Sequence, residues 1–176
     1  MKTTGVIRRI DELGRIVIPK EIRKNLRIKD GENIEILIDN DNVILKRFSE
    51  MNRLTEMAEN LVESIHTSLK KDIIICDSDI FIAVAGNLKK EIMEKQISNQ
   101  LIDCLQNRVN IADCNEKILY LVNDHSITCN YCLSTIISNG DALGMVIVLS
   151  DTEKIKEEDN KICQLAANFL SKMLED

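Results

Sequence analysis

Nine basic residues against three acidic ones occupy the first 29 positions: Lys2, Arg8, Arg9, Arg15, Lys20, Arg23, Lys24, Arg27 and Lys29, with Asp11, Glu12 and Glu21. That is 9 − 3 = +6 locally, on a chain of 176 residues whose formal net charge is −6. A charge so segregated is kept for a polyanion, and the commonest polyanion is nucleic acid. The cations are interleaved with Val6, Ile7, Ile10, Ile16, Val17, Ile18, Ile22, Leu26 and Ile28. A disordered basic tail is thereby excluded, because this stretch must fold while it presents its charge.

Within residues 1–48 the pattern is short strands around one short helix. Thr4 to Ile10 and Arg15 to Ile18 read as strands, joined by an Asp11-Glu12-Leu13-Gly14 turn. The chain's only proline, Pro19, opens a helix that the spacing carries to about Leu26. Asp30-Gly31 then turns into a strand with Ile34, Ile36 and Ile38 on one face. Asp39-Asn40-Asp41-Asn42 pairs that strand with Val43 to Arg47 as a hairpin. So small a section lacks the core to be stable alone. An intertwined dimer whose hairpins complete one barrel would supply it, as would docking on the rest of the chain.

From Ser49 the period becomes helical. Leu54, Met57, Ala58, Leu61, Val62, Ile65 and Leu69 share one face, and so do Ile162, Leu165, Ala166, Phe169, Leu170, Met173 and Leu174 at the far end. Such helices can pack on each other, on the sheet between them, or on a second subunit. Leu54, Leu61, Ile65, Phe169 and Leu170 are the expected oligomerisation residues. Between the helices, Asp72–Cys76, Ile80–Val84, Ile118–Val122, Leu133–Ser138 and Leu143–Leu149 read as strands, and Lys89 to about Leu105 as helix. Asn139-Gly140-Asp141 marks a hairpin. Strands in a meander with helices around them give an α+β domain. Phe48 to Asp176 holds 12 basic and 21 acidic residues, a net of 12 − 21 = −9, so it is no second nucleic-acid surface. The expected division is 1–48, a linker and dimerisation helix at 49–71, and a domain at 72–176 ending in a second dimerisation helix.

On the N-terminal helix, Lys20, Arg23, Lys24 and Arg27 fall at i, i+3, i+4 and i+7, one stripe of like charge that an anionic partner would neutralise. Arg8, Arg9 and Arg15 add guanidinium groups, which bind phosphate or guanine edges bidentately.

No signal peptide and no apolar run approaching the roughly 18–20 residues of a membrane span is visible, so a cytoplasmic, nucleoid-associated protein with no membrane partner is expected. The six cysteines read as reduced thiols packed like small apolar residues. Cys129 and Cys132 are the one close pair, and zinc would need a second. No metal or cofactor is expected. No phosphate loop, paired carboxylates or Ser/His/Asp arrangement points to catalysis; His66 reads as a packing residue and His125 as a surface one.

The run Thr4-Gly5-Val6-Ile7-Arg8-Arg9-Ile10-Asp11-Glu12-Leu13-Gly14-Arg15-Ile16-Val17-Ile18-Pro19-Lys20-Glu21-Ile22-Arg23 resembles the DNA-binding domain of the AbrB family of transition-state regulators. The resemblance implies a swapped-hairpin β-barrel dimer that binds double-stranded DNA through Arg8, Arg9, Arg15, Arg23 and Lys24. Lys20 and Arg27 follow from the stripe alone. Ile73-Ile74-Ile75-Cys76-Asp77, Ala83-Val84-Ala85-Gly86 and Ser138-Asn139-Gly140-Asp141 extend the likeness to sporulation regulators that append a GAF-type sensor domain. That wider resemblance implies a homotetramer regulating gene expression during spore development. The helices Asn52–Leu69 and Lys161–Leu174 would form its GAF dimerisation bundle, and a small-molecule effector would be sensed. The sequence gives that effector no identity.

Two other readings compete. An antitoxin-type autoregulator shares the N-terminal domain type but ends in a disordered tail, whereas residues 72–150 are patterned and apolar. A GAF-type sulfoxide reductase would need two of Cys76, Cys104, Cys114, Cys129 and Cys132 within disulfide reach.

Overall fold

The structure is a computed structural model that describes residues 5–28, 30–31, 33–48 and 54–175, with backbone alone for Arg47, Asp113 and Cys114. Lys2, Lys29, the first residue of the expected Thr4–Ile10 strand and the first two of the expected Asn52–Leu69 helix lie outside the described residues. The chain divides into two compact units, 1–48 and 49–176.

In the first unit, residues 5–10 and 15–18 enter no ladder, where two strands were expected. Their strand propensity finds no ladder partner among the described residues. The turn between them does form: the Gly14 N–H donates to the Asp11 carbonyl at 2.9 Å, and the Asp11 N–H to the Arg15 carbonyl at 3.1 Å. Gly14 sits at φ 76°, the left-handed conformation this reversal requires. Helix α1 spans Lys20–Asn25, with Pro19 capping its N-terminus rather than entering it. Its end corrects the expected stripe. Arg27, at φ 54°, lies past the helix in the left-handed position of a Schellman motif, with Arg27 N–H bonded to the Lys24 carbonyl and Ile28 N–H to that of Arg23. The helical stripe is therefore Lys20, Arg23 and Lys24.

Strands β1 (Ile34–Asp39) and β2 (Asn42–Arg47) form the hairpin, with Ile36 opposite Leu45 and Ile38 opposite Val43. Directly opposed pairs share a face, so these four side chains make one apolar surface. It is bare: Ile36 is 67% and Ile38 82% exposed. No described side chain of residues 5–48 is buried.

The second unit opens with α2 (Thr55–Leu69), followed by β3 (Asp72–Asp77), β4 (Phe81–Ala85), α3 (Lys89–Ile92), α4 (Asn99–Gln106), β5 (Ile111–Val122), β6 (His125–Ser138), β7 (Asp141–Ser150) and α5 (Glu157–Glu175). The five strands form one antiparallel sheet in the order β4-β3-β7-β6-β5. Its two faces follow from the two-residue side-chain period. Ile73, Ile75, Ala83, Ala85, Cys132, Ile136, Val146 and Val148 meet α2 and α5. Ile74, Cys76, Val84, Leu119, Leu121, Cys129, Leu133, Met145, Ile147 and Leu149 meet Leu101 and Leu105 of α4, together with Ile92 and Ile97.

The single helix expected over residues 89–105 is broken. Glu94 takes φ 61°, Gln96 bridges to Ile80, and Ser98 restarts the chain as N-cap of α4 by accepting from the Leu101 N–H. Strands β5 and β6 each begin well before their expected starts at Ile118 and Leu133.

A buried ion pair ties the segment between α2 and β3 to α5. Lys71 Nζ lies 2.9 Å from Asp159 Oδ2 and 3.5 Å from Glu153 Oε2, and the Lys71 and Asp159 side chains are only 4% and 3% exposed. Asp159 Oδ2 also accepts from the Lys156 N–H at 2.7 Å, closing the entry to α5.

Candidate nucleic-acid interface

The predicted contact residues all belong to the first unit. Arg8, Arg9, Arg15, Lys20 and Lys24 are exposed, and Arg23 and Arg27 half-buried. Glu21 faces water beside them, at the start of α1 where the helix dipole favours an acid. Ile22 on α1 is half-buried, whereas Leu26, just past the helix, is 48% exposed.

Two of the arginines already hold a carboxylate. Arg15 Nε donates to Asp11 Oδ2 at 2.7 Å, and Arg23 Nη1 donates to Asp30 Oδ1. Asp11 is kept below the ordinary aspartate range chiefly by the Arg15 N–H, with the Arg15 guanidinium and the Leu13 N–H adding to it, against a small opposing effect of burial. Neither acid was singled out from the sequence. The legible signal was an Asp four residues before an Arg across an Asp-x-x-Gly turn.

In the second unit the expected oligomerisation residues separate. Ile65 and Leu170 are buried in the unit's own core, and Leu54 and Leu61 pack half-buried against it. Ile65, at 8%, and Leu170, at 0%, leave almost no side-chain surface outside the unit. A helix wrapped on a sheet spends its central apolar stripe there, and only the flank remains outside: Leu165 at 69% and Phe169 at 44% exposure.

The close cysteine pair is also resolved. Cys129 and Cys132, three residues apart on β6, lie in the cores on opposite faces of the sheet and form no dithiol centre. Burial raises the Cys76 thiol far above its ordinary value. His66 Nδ1–H donates to the Lys71 carbonyl at 2.7 Å, and His125 Nε2 lies 3.4 Å from Glu91 Oε2. Among the described residues no group of three His, Cys, Asp or Glu is placed to hold a metal ion, and no helix is long and apolar enough to cross a membrane.

A cation-bearing β-hairpin unit joined to an antiparallel sheet with helices on both faces defines a transcription factor built from an AbrB-like module and a GAF-type domain. Residues 53–175 match the family described as stage V sporulation protein T C-terminal, transcription factor, and residues 7–47 match antidote-toxin recognition MazE, bacterial antitoxin. Over 177 residues, 99% of each chain, the sequence is 40% identical to stage V sporulation protein T of Bacillus subtilis (strain 168). The chain belongs to the stage V sporulation protein T family and is a sporulation-stage transcriptional regulator. Its N-terminal part is 48% identical over 48 residues to the transition state regulatory protein AbrB of Bacillus subtilis (strain 168), 27% of this chain and 50% of that one.

The second unit has the fold of a GAF domain from a phosphoenolpyruvate-protein phosphotransferase of Coxiella burnetii. That match has 17% identity and TM-score 0.50, covering 68% of this chain and 80% of the other. A type II free methionine-R-sulfoxide reductase of Thermoplasma acidophilum is similar at 12% identity and TM-score 0.52, covering 72% of this chain and 95% of that one. At these identities the likeness is one of fold.

Proposed function

We propose that the protein binds double-stranded DNA as a homo-oligomer whose N-terminal units pair by swapping hairpins into one β-barrel. The observation that carries this reading is the coexistence, in one small unit, of an uncovered apolar hairpin face and a dense set of exposed cations. A second copy would cover Ile36, Ile38, Val43 and Leu45 and give the segments at 5–10 and 15–18 partners for their backbone hydrogen bonds. It would also bring two sets of Arg8, Arg9, Arg15, Lys20, Arg23, Lys24 and Arg27 to one duplex, doubling the phosphate contacts. Arg27, off the helix, supports α1 from its C-terminal turn, while Lys20, Arg23 and Lys24 make the helical contribution.

Pairing of the GAF-type domains would use the flank of α5 marked by Leu165 and Phe169, with Leu54 and Leu61 at the margin. Two dyads of this kind close a tetramer. A small-molecule effector would act by favouring one arrangement of the paired helices over another. The protein is not an enzyme in this reading. Cys76, Cys129, Cys132 and Cys163 are buried in the two cores, and a nucleophilic cysteine requires an accessible thiolate.

Single Arg8→Ala, Arg15→Ala and Arg23→Ala substitutions test the interface. Each should lower affinity by about 1–3 kcal/mol where the arginine reads a base. A phosphate-only contact should weaken all duplexes alike and reduce the salt slope by about one. Normal binding by the triple variant at moderate salt would exclude this surface.

A further inference from the structure

Asp11 is fastened to the segment after it at three points. Its Oδ1 accepts from the Leu13 N–H at 3.0 Å and from the Arg15 N–H at 2.8 Å, while its Oδ2 accepts from Arg15 Nε at 2.7 Å. The backbone pair between Asp11 N–H and the Arg15 carbonyl fixes the two residues across the turn. The arginine side chain is otherwise in water, 73% exposed. A guanidinium has five N–H donors in one plane. The bond to Asp11 takes the Nε donor nearest the chain and leaves the four on Nη1 and Nη2. These form the outer edge of the plane, which can meet a guanine O6/N7 pair end-on.

The placement has a cost that makes it informative. A carboxylate beside exposed arginines opposes attraction to phosphate, so for affinity alone this position would better hold a neutral residue. The turn itself needs only one oxygen, and Asn or Ser caps such turns as well as Asp does. The second oxygen is spent wholly on the direction of Arg15.

We propose that Asp11 is a positioning residue for Arg15: it fixes the guanidinium plane so that its Nη1/Nη2 edge reads guanine, raising sequence discrimination rather than overall affinity. This rests on the reading of Arg15 as a DNA contact. An unheld arginine side chain would satisfy phosphates at any sequence. One tethered at Nε pairs well only where the groove presents two acceptors at the matching place.

The test uses the full-length protein and two duplexes of equal length. One is enriched by the wild-type protein from a random pool, and the other is of random sequence. Asp11→Asn keeps an oxygen for the Leu13 and Arg15 N–H groups but turns an amide N–H₂ toward Nε. The ratio of affinities for the enriched and random duplexes should fall by about tenfold, with random-duplex affinity held or raised and the thermal midpoint unchanged. On an Arg15→Ala background the same substitution should leave the ratio where Arg15→Ala put it, as coupling of the two residues demands.

An unchanged ratio overturns the proposal in any of three forms. With both affinities unmoved, the tether does not matter. Equal strengthening on both duplexes shows that Asp11 is only a repulsive charge. Equal weakening with a lowered thermal midpoint shows that it only builds the turn. If Arg15→Ala leaves both affinities intact, the DNA-contact reading of Arg15 fails and the positioning role falls with it. If Arg15→Ala impairs binding but Asp11→Asn does not alter the ratio, only the positioning role fails.

Discussion

In residues 54–175, Ile73, Ile74, Ile75, Leu133, Val146 and Ile147 are sealed between helices, whereas in residues 5–48 Ile36, Ile38 and Val43 lie open to water. Both regions are rich in isoleucine and both form antiparallel strands, so composition does not separate them. Layer count does. A five-stranded sheet with helices on each face buries both sides of its central strands within one chain. A two-stranded hairpin with one short helix has no second layer, and a lone hairpin is marginal in water. In the proposed dimer the first unit would take its missing layer from a second copy, and its cations would act in sets. The second unit has its core within itself.

The comparison breaks most visibly at the hairpin. Ile36→Asp would cost little if Ile36 faced water in the working protein, since surface changes stay within about 0.5 kcal/mol. As part of a shared barrel core it should abolish both the N-terminal dimer and DNA binding, seen as loss of binding with the second unit still folded by circular dichroism. Phe169→Asp is its counterpart at the other proposed contact. It should reduce a tetramer to dimers by sedimentation while leaving the barrel and short-site binding intact. Binding by Ile36→Asp at normal affinity would show that the unit's core is supplied elsewhere.

Next in size is the buried ion pair of the self-sufficient unit. Lys71→Met leaves the Asp159 carboxylate buried without its cation and should destabilise this unit by about 3–5 kcal/mol in urea unfolding. Lys89→Met is the control: the Lys89–Glu63 pair is as close, at 3.0 Å, but exposed. That substitution should cost no more than about 1 kcal/mol. Equal effects of the two would mean that burial does not set the strength of these pairs. The N-terminal dimer should be indifferent to both.

What could be read in the sequence follows the same division. The β1–β2 and β6–β7 turns were legible because Asn40 and Asn139 adopt positive φ, a conformation asparagine tolerates. The long helices were legible from their spacing. Hidden were the first half of β5, where register shifts between Ile111, Cys114 and Lys117 break the alternation, and the break at 93–98, which depends on a bridge from Gln96 to Ile80. Choosing which apolar residues of α5 remain outside required the sheet: Leu165 and Leu170 are equally apolar, and only packing distinguishes them. At the candidate interface the cations were legible as charge, whereas of their carboxylate partners only Asp11 left a signal, in its spacing to Arg15 across the turn. Asp11 and Asp30 act through local geometry that composition does not encode.

The smallest effect expected concerns Asp72, at the start of β3 in the self-sufficient unit. Its carboxyl accepts from the Asn87 N–H at 3.0 Å and touches the loop at Gly86, where a Cβ would lie 1.8 Å from Oδ1. Burial raises its pKa above the ordinary 3.8, against the lowering effects of the Asn87 N–H and of His66. A carboxyl whose folded pKa is raised binds its proton more tightly in the folded state. Stability from this group is therefore greatest below the unfolded value and falls as pH rises from about 3.8 through the folded pKa. Asp72→Asn, which keeps the oxygen acceptor and cannot ionise, should match the wild type near pH 3 and gain on it as pH rises toward neutrality. The gain should stay under about 1 kcal/mol, because water reaches part of the carboxyl and screens it. Urea midpoints across that range decide the matter. A gain that grows with pH locates the cost in the buried charge. A loss that is constant with pH would instead show that the site needs the Asp72 carboxyl in either protonation state and that the loop, not the charge, limits this corner of the sheet.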